Sequence, residues 1–348
     1  MKKSLSFFLL AILILQSLAL SSCAKKNKYT SYSFDYFDTV TTLVGYEKDQ
    51  KSFDAVSKSI MGELEEYHKL FDIYNGYEGI NNLYTINSLV DGEHLKTEVD
   101  IRIIDMLSYA KDMYYKTDGC VNVAMGGLLS VWHNYREAGE NDPASAELPP
   151  IDTLRAAAVA SDIEDLIIDA EEGTVFISDP DMLLDVGAVA KGYAVEMIAE
   201  RLESEGIEGY VINVGGNVRT VGSRGDGRVW QTGIEDPSDD GETYLALLGL
   251  RGEALVTSGS YQRYYTVDGK DYHHIIDPET LMPSERYVSV SVISKSSAEA
   301  DVLSTALFCM DIEDGKRIAE SFEGVYVMWV ETDGDIHYSE GFERYIIE

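Results

Sequence analysis

The sequence predicts an α+β fold, a single large domain in which a substantial mixed or antiparallel sheet is flanked by helices. Strand-like and helix-like segments alternate through the middle of the chain, and the third quarter is rich in strands. The 348 residues are 45% hydrophobic, which is enough to fill one large core. No fixed sequence period recurs, so a repeat architecture is not expected.

Hydrophobic periodicity assigns the elements of the first half. Alternation at residues 37–46 predicts a strand, and helical spacing at 53–71 and 101–117 predicts two amphipathic helices. The acidic stretch 137–150 contains three prolines and predicts an exposed loop, after which residues 151–160 predict a short helix.

In the second half, β-branched and apolar runs predict strands at residues 174–177, 182–186, 210–214 and 229–234. Between them, apolar residues at helical spacing predict a helix over 190–202. A tight turn therefore connects the second of these strands to the helix.

The first residues predict export. Two lysines precede an apolar run of about 16 residues, which is short for a membrane span and typical of a secretory signal. The run ends in LSSC, which resembles the lipobox of bacterial lipoproteins. That resemblance implies a signal peptide at 1–22, a lipid-modified Cys23, a tether at 23–30 and one domain at 31–348. The protein would then be lipid-anchored on the extracytoplasmic face of the cell membrane; the alternative is an uncleaved anchor helix.

Charge and cysteine content limit the partners. The chain has 28 basic and 61 acidic residues, a net charge of −33, which disfavours nucleic acid and anionic lipid headgroups as partner surfaces. A polyanionic small ligand would need a local cation, from a metal or a few placed Lys and Arg. Cys120 and Cys309 are too few for a disulfide framework and are predicted to be buried thiols.

The glycine turn at residues 185–192 is the first candidate site. Lys191 falls in the first turn of the predicted helix, where the helix dipole disfavours a cation unless an anion is also present. The alternative is that Lys191 points to solvent and Gly187 only shapes the turn.

A polar cluster at residues 256–283 is the second candidate. Strand alternation places His273 and His274 on opposite faces, so at most one of them enters a site beside Ser258 or Arg263. Histidine is the side chain best suited to take a proton near neutral pH. A surface hairpin with incidental histidines is the alternative.

The third candidate is a helix face that presents Asp301, Ser304 and Thr305 together. Such oxygen ligands suit Mg²⁺ or Ca²⁺, completed by a backbone carbonyl, ligand phosphates and water. In the alternative interpretation, Asp301 is an N-cap and the hydroxyls bond the preceding turn of the helix.

Four segments together carry a family resemblance. DVGAVAKGYAVE, INVGGN, VTSGSYQRYYTVDGKDYHHIIDPETLMP and ADVLSTAL occur in the order and spacing of the FAD:protein FMN transferases, the ApbE family. The resemblance extends from about Phe37 to the C-terminus. Family members bind FAD and Mg²⁺, cleave the pyrophosphate, join FMN through a phosphoester to a threonine of a target protein and release AMP. The resemblance thus implies a flavoprotein partner, such as an electron-transport or respiratory subunit.

The resemblance also implies roles for individual residues. His274 matches the histidine of an H-I-x-D-P motif that would accept the threonine proton. Asp301 and Thr305 match side-chain metal ligands, with Ser304 beside them, and Ala188 matches a main-chain ligand. The positions that match FAD contacts are Phe37, Tyr74, Ala124, Met125, Gly126, Asp185, Lys191 and Ile275.

Three positions depart from the family pattern. Ala188 replaces a second glycine, and Leu281 replaces the usual glycine of a T-G-x-P turn. Ala124 lacks a common hydroxyl, which removes one ligand contact.

Two other functions fit the same residues. An FAD pyrophosphatase would use water in place of the threonine hydroxyl and produce FMN and AMP with the same metal and base. A lipid-anchored flavin-binding protein would perform no chemistry at all.

Overall fold

The computed structural model describes residues 26–88, 96–238 and 243–347. The predicted signal peptide and Cys23 lie outside these residues. The helices are α1 (Gln50–Phe71), α2 (Leu83–Ser88), α3 (Ile101–Lys116), α4 (Gly126–Asn141), α5 (Ile151–Ala157), α6 (Ala190–Ser204), α7 (Ser297–Phe308) and α8 (Ile312–Glu320).

One large sheet organises the domain. Its strands are β1 (Asn27–Tyr36), β2 (Thr39–Glu47), β6 (Tyr210–Val214), β7 (Asn217–Val221), β10 (Ala254–Gly259), β13 (Tyr287–Ser294), β14 (Tyr326–Glu331) and β15 (Ile336–Tyr338), in that spatial order. All neighbours pair antiparallel. The predicted α+β class with a large sheet and flanking helices is confirmed.

The remaining strands of the described residues form three smaller sheets. They are β3 (Thr97–Glu98), β5 (Thr174–Ile177) and β4 (Leu166–Asp169); β8 (Trp230–Glu235) with β9 (Tyr244–Leu250); and β11 (Tyr264–Val267) with β12 (Lys270–His273). Strand β12 ends at His273, and His274, predicted to lie on the same strand, is the first residue after it.

The central strands of the large sheet, such as β7 and β13, are buried on both faces. Helices α6 and α7 cover one face in the main core, which also contains α1 and α3. A smaller core on the other face packs β8 and β9 against the sheet. Because helices α6 and α7 lie directly on β7 and β10, side chains from all four elements can meet at one end of the sheet.

The prediction of a strand at 182–186 is wrong, because these residues do not form a continuous ladder with a neighbouring strand. Only Leu183 forms a bridge, parallel to Met125. The Asn87 side chain satisfies Leu184 instead: its amide nitrogen donates to the Leu184 carbonyl (2.9 Å) and its oxygen accepts from the Leu184 N–H (2.8 Å). A side-chain amide thus pairs with Leu184, while the backbone of residues 123–126 pairs with Leu183 and Asp185, so every one of these groups has a partner without a continuous ladder.

The chain differs from prediction at its first two strands. Strand β1 begins at Asn27, inside the stretch predicted as a tether. Phe37 and Asp38, predicted within the next strand, form the two-residue turn between β1 and β2 with φ of 53° and 50°. Both central residues of such a hairpin turn must adopt the left-handed conformation. The Phe37 N–H donates to His68 Nδ1 (3.2 Å), which fixes the turn against α1.

The loop predicted at 137–150 begins later than expected, because α4 continues to Asn141. A Cβ at Gly139 would lie 2.6 Å from the Tyr265 ring, so this glycine lets α4 pack closely on β11. The neighbouring acidic residues Glu137 and Glu140 are exposed on the surface of α4. The last turns of this helix therefore have the acidic composition that is typical of an exposed loop, which is why they were predicted as one.

In the part of the chain that the structure describes, no helix has the length and apolar character to cross a membrane. Cys309 is buried and Cys120 is half-buried, and both are free thiols. Burial raises the pKa of Cys120 to about 11, so this thiol is protonated and unreactive at neutral pH. The prediction of buried thiols holds for Cys309 and in part for Cys120.

Candidate active site

A cleft of about 580 Å³ lies where α6, α7, β10 and the segment after β12 converge. Most of the residues singled out in the sequence line it. They are Phe37, Tyr74, Met125, Asp185, Ala188, Lys191, His274, Ile275, Asp301 and Thr305. Chain segments separated by more than 200 residues are thus brought to one site.

The glycine turn and the Asp301 helix meet at the base of this cleft. Asp301 Oδ2 accepts hydrogen bonds from the Gly192 backbone N–H (2.8 Å) and from Asn217 Nδ2 (3.0 Å). Lys191 Nζ lies 3.8 Å from the same oxygen. The alternative in which Lys191 points to solvent is wrong, because this ammonium group is directed at a buried carboxylate.

Gly192 makes this contact possible. A Cβ at this position would lie 2.4 Å from Asp301 Cβ and 2.5 Å from the Ser297 carbonyl oxygen. The first turn of α6 therefore reaches α7 only because residue 192 has no side chain.

Asp301 is only 4% exposed, and burial raises the pKa of its carboxyl group. Lys191, Gly192 and Asn217 oppose that shift. Among the described residues, every hydrogen bond to this side chain ends on Oδ2, which leaves Oδ1 for another partner. Asp301 is not an N-cap: Ser296 caps α7 by accepting from the Glu299 N–H.

The two hydroxyls near Asp301 differ in accessibility. Ser304 is fully buried, and its Oγ donates to the Asp301 carbonyl (3.0 Å) and contacts Ser258 Oγ (2.8 Å). Thr305 lines the cleft, and its hydroxyl makes only long contacts, 3.4 Å to the Asp301 carbonyl and 3.5 Å to Ser258. Both hydroxyls therefore bond the carbonyl of the preceding helical turn, as the alternative interpretation predicts. Of the two, Thr305 lines the cleft and can also contact a ligand.

The donor set suits a hard divalent cation that is held jointly with a ligand. Among the residues that the structure describes, no three His, Cys, Asp or Glu side chains come together as a closed metal cage. Asp301 Oδ1, the Thr305 hydroxyl and main-chain oxygen near Ala188 are oxygen donors on one cleft. Mg²⁺ characteristically takes one or two protein oxygens and completes its shell with phosphates and water.

Asp185 and Lys191 stand on either side of the turn. Asp185 Oδ1 accepts from the Gly187 N–H (2.8 Å), and Lys191 Nζ donates to the Gly187 carbonyl (3.3 Å). Burial raises the pKa of the Asp185 carboxyl group, and the Gly187 N–H, His133 and Lys191 oppose the shift. Both side chains are thus fixed by the turn and directed into the cleft.

Only one of the two histidines enters the cleft, as predicted: His273 is the last residue of β12, and His274 follows it. His273 is buried, and its Nε2 lies 2.7 Å from the Ser284 carbonyl. His274 lines the cleft, with Nδ1 3.3 Å from the Arg263 carbonyl. A carbonyl can only accept, so Nδ1 carries the proton and Nε2 keeps its lone pair.

His274 is expected to remain neutral in mildly acidic solution. Burial, with the charges of Arg263, His273 and Arg136, lowers the pKa of His274 to about 3. A histidine with the ordinary pKa would be about nine-tenths protonated at pH 5.5. We expect ¹⁵N NMR of the ligand-free protein at that pH to show a neutral ring protonated at Nδ1. An imidazolium signal assigned to His274 would contradict this geometry.

The predicted flavin-pocket residues separate into two groups. Phe37, Tyr74, Met125 and Ile275 line the cleft. Ala124 and Gly126 are buried behind it, and a Cβ at Gly126 would lie 2.4 Å from the Leu183 carbonyl oxygen. Gly126 therefore permits the approach of the segment that leads to Asp185.

Several lining residues were not predicted. They include His68, Asp72, His133, Arg136 and Asn217. Asn217 ends the INVGGN motif and could have been found there. The others lie on or beside α1 and α4, where polar residues on a helix cannot be told from solvent-facing ones by spacing alone.

Leu281 adopts a left-handed backbone conformation with φ of 61°. Glycine adopts this conformation at no steric cost, which explains why a glycine is usual at this turn. The Leu281 carbonyl accepts from Trp132 Nε1 (3.0 Å), and the turn is thereby tied to α4.

The fold is a single α+β domain whose cleft brings together the buried Asp301 carboxylate, the Lys191 ammonium group and His274, a set of side chains suited to a phosphorylated ligand held with a hard cation. The profile of the ApbE family matches residues 31–329, and the chain belongs to that family.

Named relatives and solved structures agree with this assignment. The chain is 32% identical over 311 residues to the FAD:protein FMN transferase of Vibrio cholerae, covering 88% of each chain. It is 29% identical over 311 residues to a protein of that name from Klebsiella pneumoniae, covering 89% of this chain and 92% of the relative. The crystal structure of the ApbE protein of Thermotoga maritima superimposes with a TM-score of 0.78 at 26% identity, covering 92% of this chain and all of the other. The Vibrio cholerae flavin transferase ApbE gives a TM-score of 0.74 at 26% identity, with the same coverage.

Proposed function

We propose that the protein is an FAD:protein FMN transferase that uses Mg²⁺ and attaches FMN through a phosphoester bond to a threonine hydroxyl of a target flavoprotein, releasing AMP. Membership of the ApbE family and relatives of that name along nine-tenths of the chain support the transferase activity. The observation that carries the chemistry is the meeting of Lys191 and Asp301 at the base of the cleft.

The cleft holds three cationic side chains in a strongly acidic protein. Lys191, Arg136 and Arg263 line it together with Asp38, Asp72, Asp185 and Asp301, so its lining is close to neutral while the chain as a whole has a net charge of −33. Arg263 is exposed, and its guanidinium has no ion pair or hydrogen bond within the described ranges. A diphosphate needs such local cations to approach an acidic surface.

Each part of the reaction has a residue suited to it. Asp301 Oδ1 and the Thr305 hydroxyl would hold Mg²⁺, with main-chain oxygen at Ala188. When bound, Mg²⁺ neutralises phosphoryl oxygens and orients them for in-line attack. Lys191 would contact the diphosphate. His274 Nε2 would take the proton from the threonine hydroxyl as that oxygen bonds to the FMN phosphorus and the bond to the AMP phosphate breaks.

In-gel flavin fluorescence tests the transfer directly. The full chain is incubated with FAD, Mg²⁺ and a candidate flavoprotein, and the acceptor band is examined for covalent flavin. We expect fluorescence that requires the acceptor threonine and disappears with EDTA. AMP release without labelling of any acceptor would indicate the pyrophosphatase instead, and FAD binding without AMP release would indicate a flavin-binding protein.

Replacement of His274 by glutamine is expected to lower the rate of FMN transfer at least about 100-fold, because a positioned general base contributes that much or more. Glutamine retains a donor for the Arg263 carbonyl but cannot take the proton. The rate is measured by AMP release with acceptor present, and FAD affinity should change little. His273→Gln is the neighbouring control, since His273 contacts Ser284 and not the cleft. A His274→Gln enzyme that retains full activity would remove this base from the mechanism.

We also propose that the mature protein is lipidated at Cys23 and anchored to the extracytoplasmic face of the cell membrane, where its acceptor would be an electron-transport or respiratory subunit. The lysine-flanked apolar run and the LSSC sequence support this. Detergent phase partitioning of the expressed protein tests it: the wild type should enter the detergent phase, and Cys23→Ser should remain in the aqueous phase. A wild type found in the aqueous phase would contradict the anchor.

A further inference from the structure

A buried ion pair lies behind the cleft and does not touch it. Arg219 of β7 donates from Nε to Glu196 Oε2 and from Nη2 to Glu196 Oε1, both at 3.0 Å. Arg219 is 3% exposed and Glu196 4%. Burying two charges is costly unless their hydrogen bonds are nearly all satisfied, so the place of this pair in the fold needs an explanation.

The carboxylate of this pair also binds the start of the Asp301 helix. Glu196 Oε2 accepts from the Ser297 N–H at 2.5 Å, and Ser297 is the first residue of α7. The first N–H groups of a helix have no partner within the helix and carry partial positive charge. A carboxylate at this point therefore fixes where the helix begins, one turn before Asp301.

Two hydrogen bonds join α6 to α7, and they are separated by the same number of residues on both helices. Gly192 contacts Asp301 and Glu196 contacts Ser297, so the contacts are four residues apart on each helix and run in opposite order. Strand β7 supplies a third partner to each contact: Asn217 to Asp301, and Arg219, two residues later on the same face of the strand, to Glu196. Displacing one contact would displace the other.

Arg219 is itself held firmly. Its Nη1 donates to the carbonyls of Thr220 (2.6 Å) and Gly252 (2.8 Å), and its Nη2 lies 3.1 Å from Glu203 Oε1. The two carbonyls lie outside α6 and hold the guanidinium to β7 and to the turn before β10, whereas Glu203 lies on α6 with Glu196. The large sheet, through Arg219, is the fixed reference against which α7 is placed.

We propose that Glu196 and Arg219 are positioning residues that fix α7 along its axis so that Asp301 Oδ1 faces the cleft, and that they thereby set the affinity of the protein for a divalent cation. This inference rests on the proposed metal role of Asp301. Neither residue lines the cleft, so both act through the placement of Asp301.

Manganese binding tests the proposal without a measurement of activity. Mn²⁺ is titrated into the folded full chain, with and without FAD, and free Mn²⁺ is followed by EPR. We expect Glu196→Gln to weaken Mn²⁺ binding at least about 10-fold, as loss of a partner that orients a metal ligand typically does. The matched control is Glu63→Gln. Glu63 pairs with Arg201 on the same helix α6, at 2.7 and 2.9 Å, but connects it to α1 instead of α7. This control should leave Mn²⁺ affinity within about twofold of the wild type.

A second variant isolates the hydrogen bond to the helix start. Ser297→Pro removes the N–H that Glu196 binds and leaves the ion pair intact, and proline is favoured at the first position of a helix. The buried Ser297 hydroxyl has no partner among the described residues, so its loss removes no hydrogen bond. We expect Mn²⁺ affinity to fall in this variant as well, with the circular dichroism spectrum of the wild type.

The outcomes separate this inference from the proposed function. Mn²⁺ affinity unchanged in a folded Glu196→Gln or Ser297→Pro protein would overturn the positioning role while the metal site stands. A wild type that binds no Mn²⁺, even with FAD, would overturn both. Weaker binding in the Glu63→Gln control as well would reduce the effect to general destabilisation and also contradict the proposal.

Discussion

Asp301→Asn is expected to lower the rate of FMN transfer about 1,000-fold while the protein stays folded. Metal stabilisation of a transferring phosphoryl group contributes several kcal/mol, and each 1.36 kcal/mol corresponds to a factor of ten in rate. Asparagine still offers an oxygen to the Gly192 N–H, so the contact between α6 and α7 survives. It lacks the negative charge that would hold a divalent cation.

The stability of this variant separates the two roles of Asp301. Burial raises the pKa of this carboxyl group, so the folded protein holds a charged group at a cost. We expect the melting temperature of Asp301→Asn to equal or exceed that of the wild type in the absence of metal. Mg²⁺ and FAD should raise the melting temperature of the wild type only. Glu299→Gln on the same helix is the control, because Glu299 bonds Ser294 and not the cleft; a full-rate Asp301→Asn enzyme would refute the metal role.

Arg219→Met is expected to lower the free energy of unfolding by about 3–5 kcal/mol, the usual cost of leaving one member of a buried ion pair without its partner. Glu196 would remain buried with only the Ser297 N–H to stabilise its charge. Urea unfolding followed by circular dichroism measures this as a lower midpoint with an unchanged slope.

A second substitution tests the cause of that loss. Replacing Glu196 by leucine in the Arg219→Met protein removes the unpaired carboxylate, and stability should recover substantially. Arg201→Met should cost only about 1 kcal/mol, because the Arg201–Glu63 pair is partly exposed to solvent. An Arg219→Met protein as stable as the wild type would mean that the buried pair does not hold the fold together.

The sequence predicted those parts of the fold and site that depend on local pattern. Helices α1, α3 and α6 follow their apolar spacing, and only one of the two histidines lines the cleft, as predicted, although His274 lies just beyond the end of β12. Residues 182–186 form no ladder strand because the Asn87 side chain bonds Leu184 while the backbone of residues 123–126 bonds Leu183 and Asp185, and partners this distant in sequence leave no periodic signal. Ser304, which shares a helix face with Asp301 and Thr305, is fully buried and bonds Ser258, so it does not line the cleft itself.

The family resemblance located the motifs that line the cleft but not the residues that hold those motifs in position. Asn217 ends the INVGGN motif, but nothing local shows that it contacts Asp301, and nothing local distinguishes Arg219, two residues later, from a residue of an ordinary strand. Their roles depend on α6 and α7 packing side by side, which in turn depends on the missing side chain of Gly192. Long-range packing of this kind cannot be derived from periodicity or composition.

Anomalous diffraction from crystals soaked with FAD and Mn²⁺ tests the central claim most directly. The account predicts one strong manganese peak within bonding distance of Asp301 Oδ1 and the Thr305 hydroxyl, beside the diphosphate of FAD, with Lys191 against that diphosphate. A diphosphate bound in the cleft without metal, or manganese bound elsewhere while Asp301 contacts only Gly192 and Asn217, would contradict it.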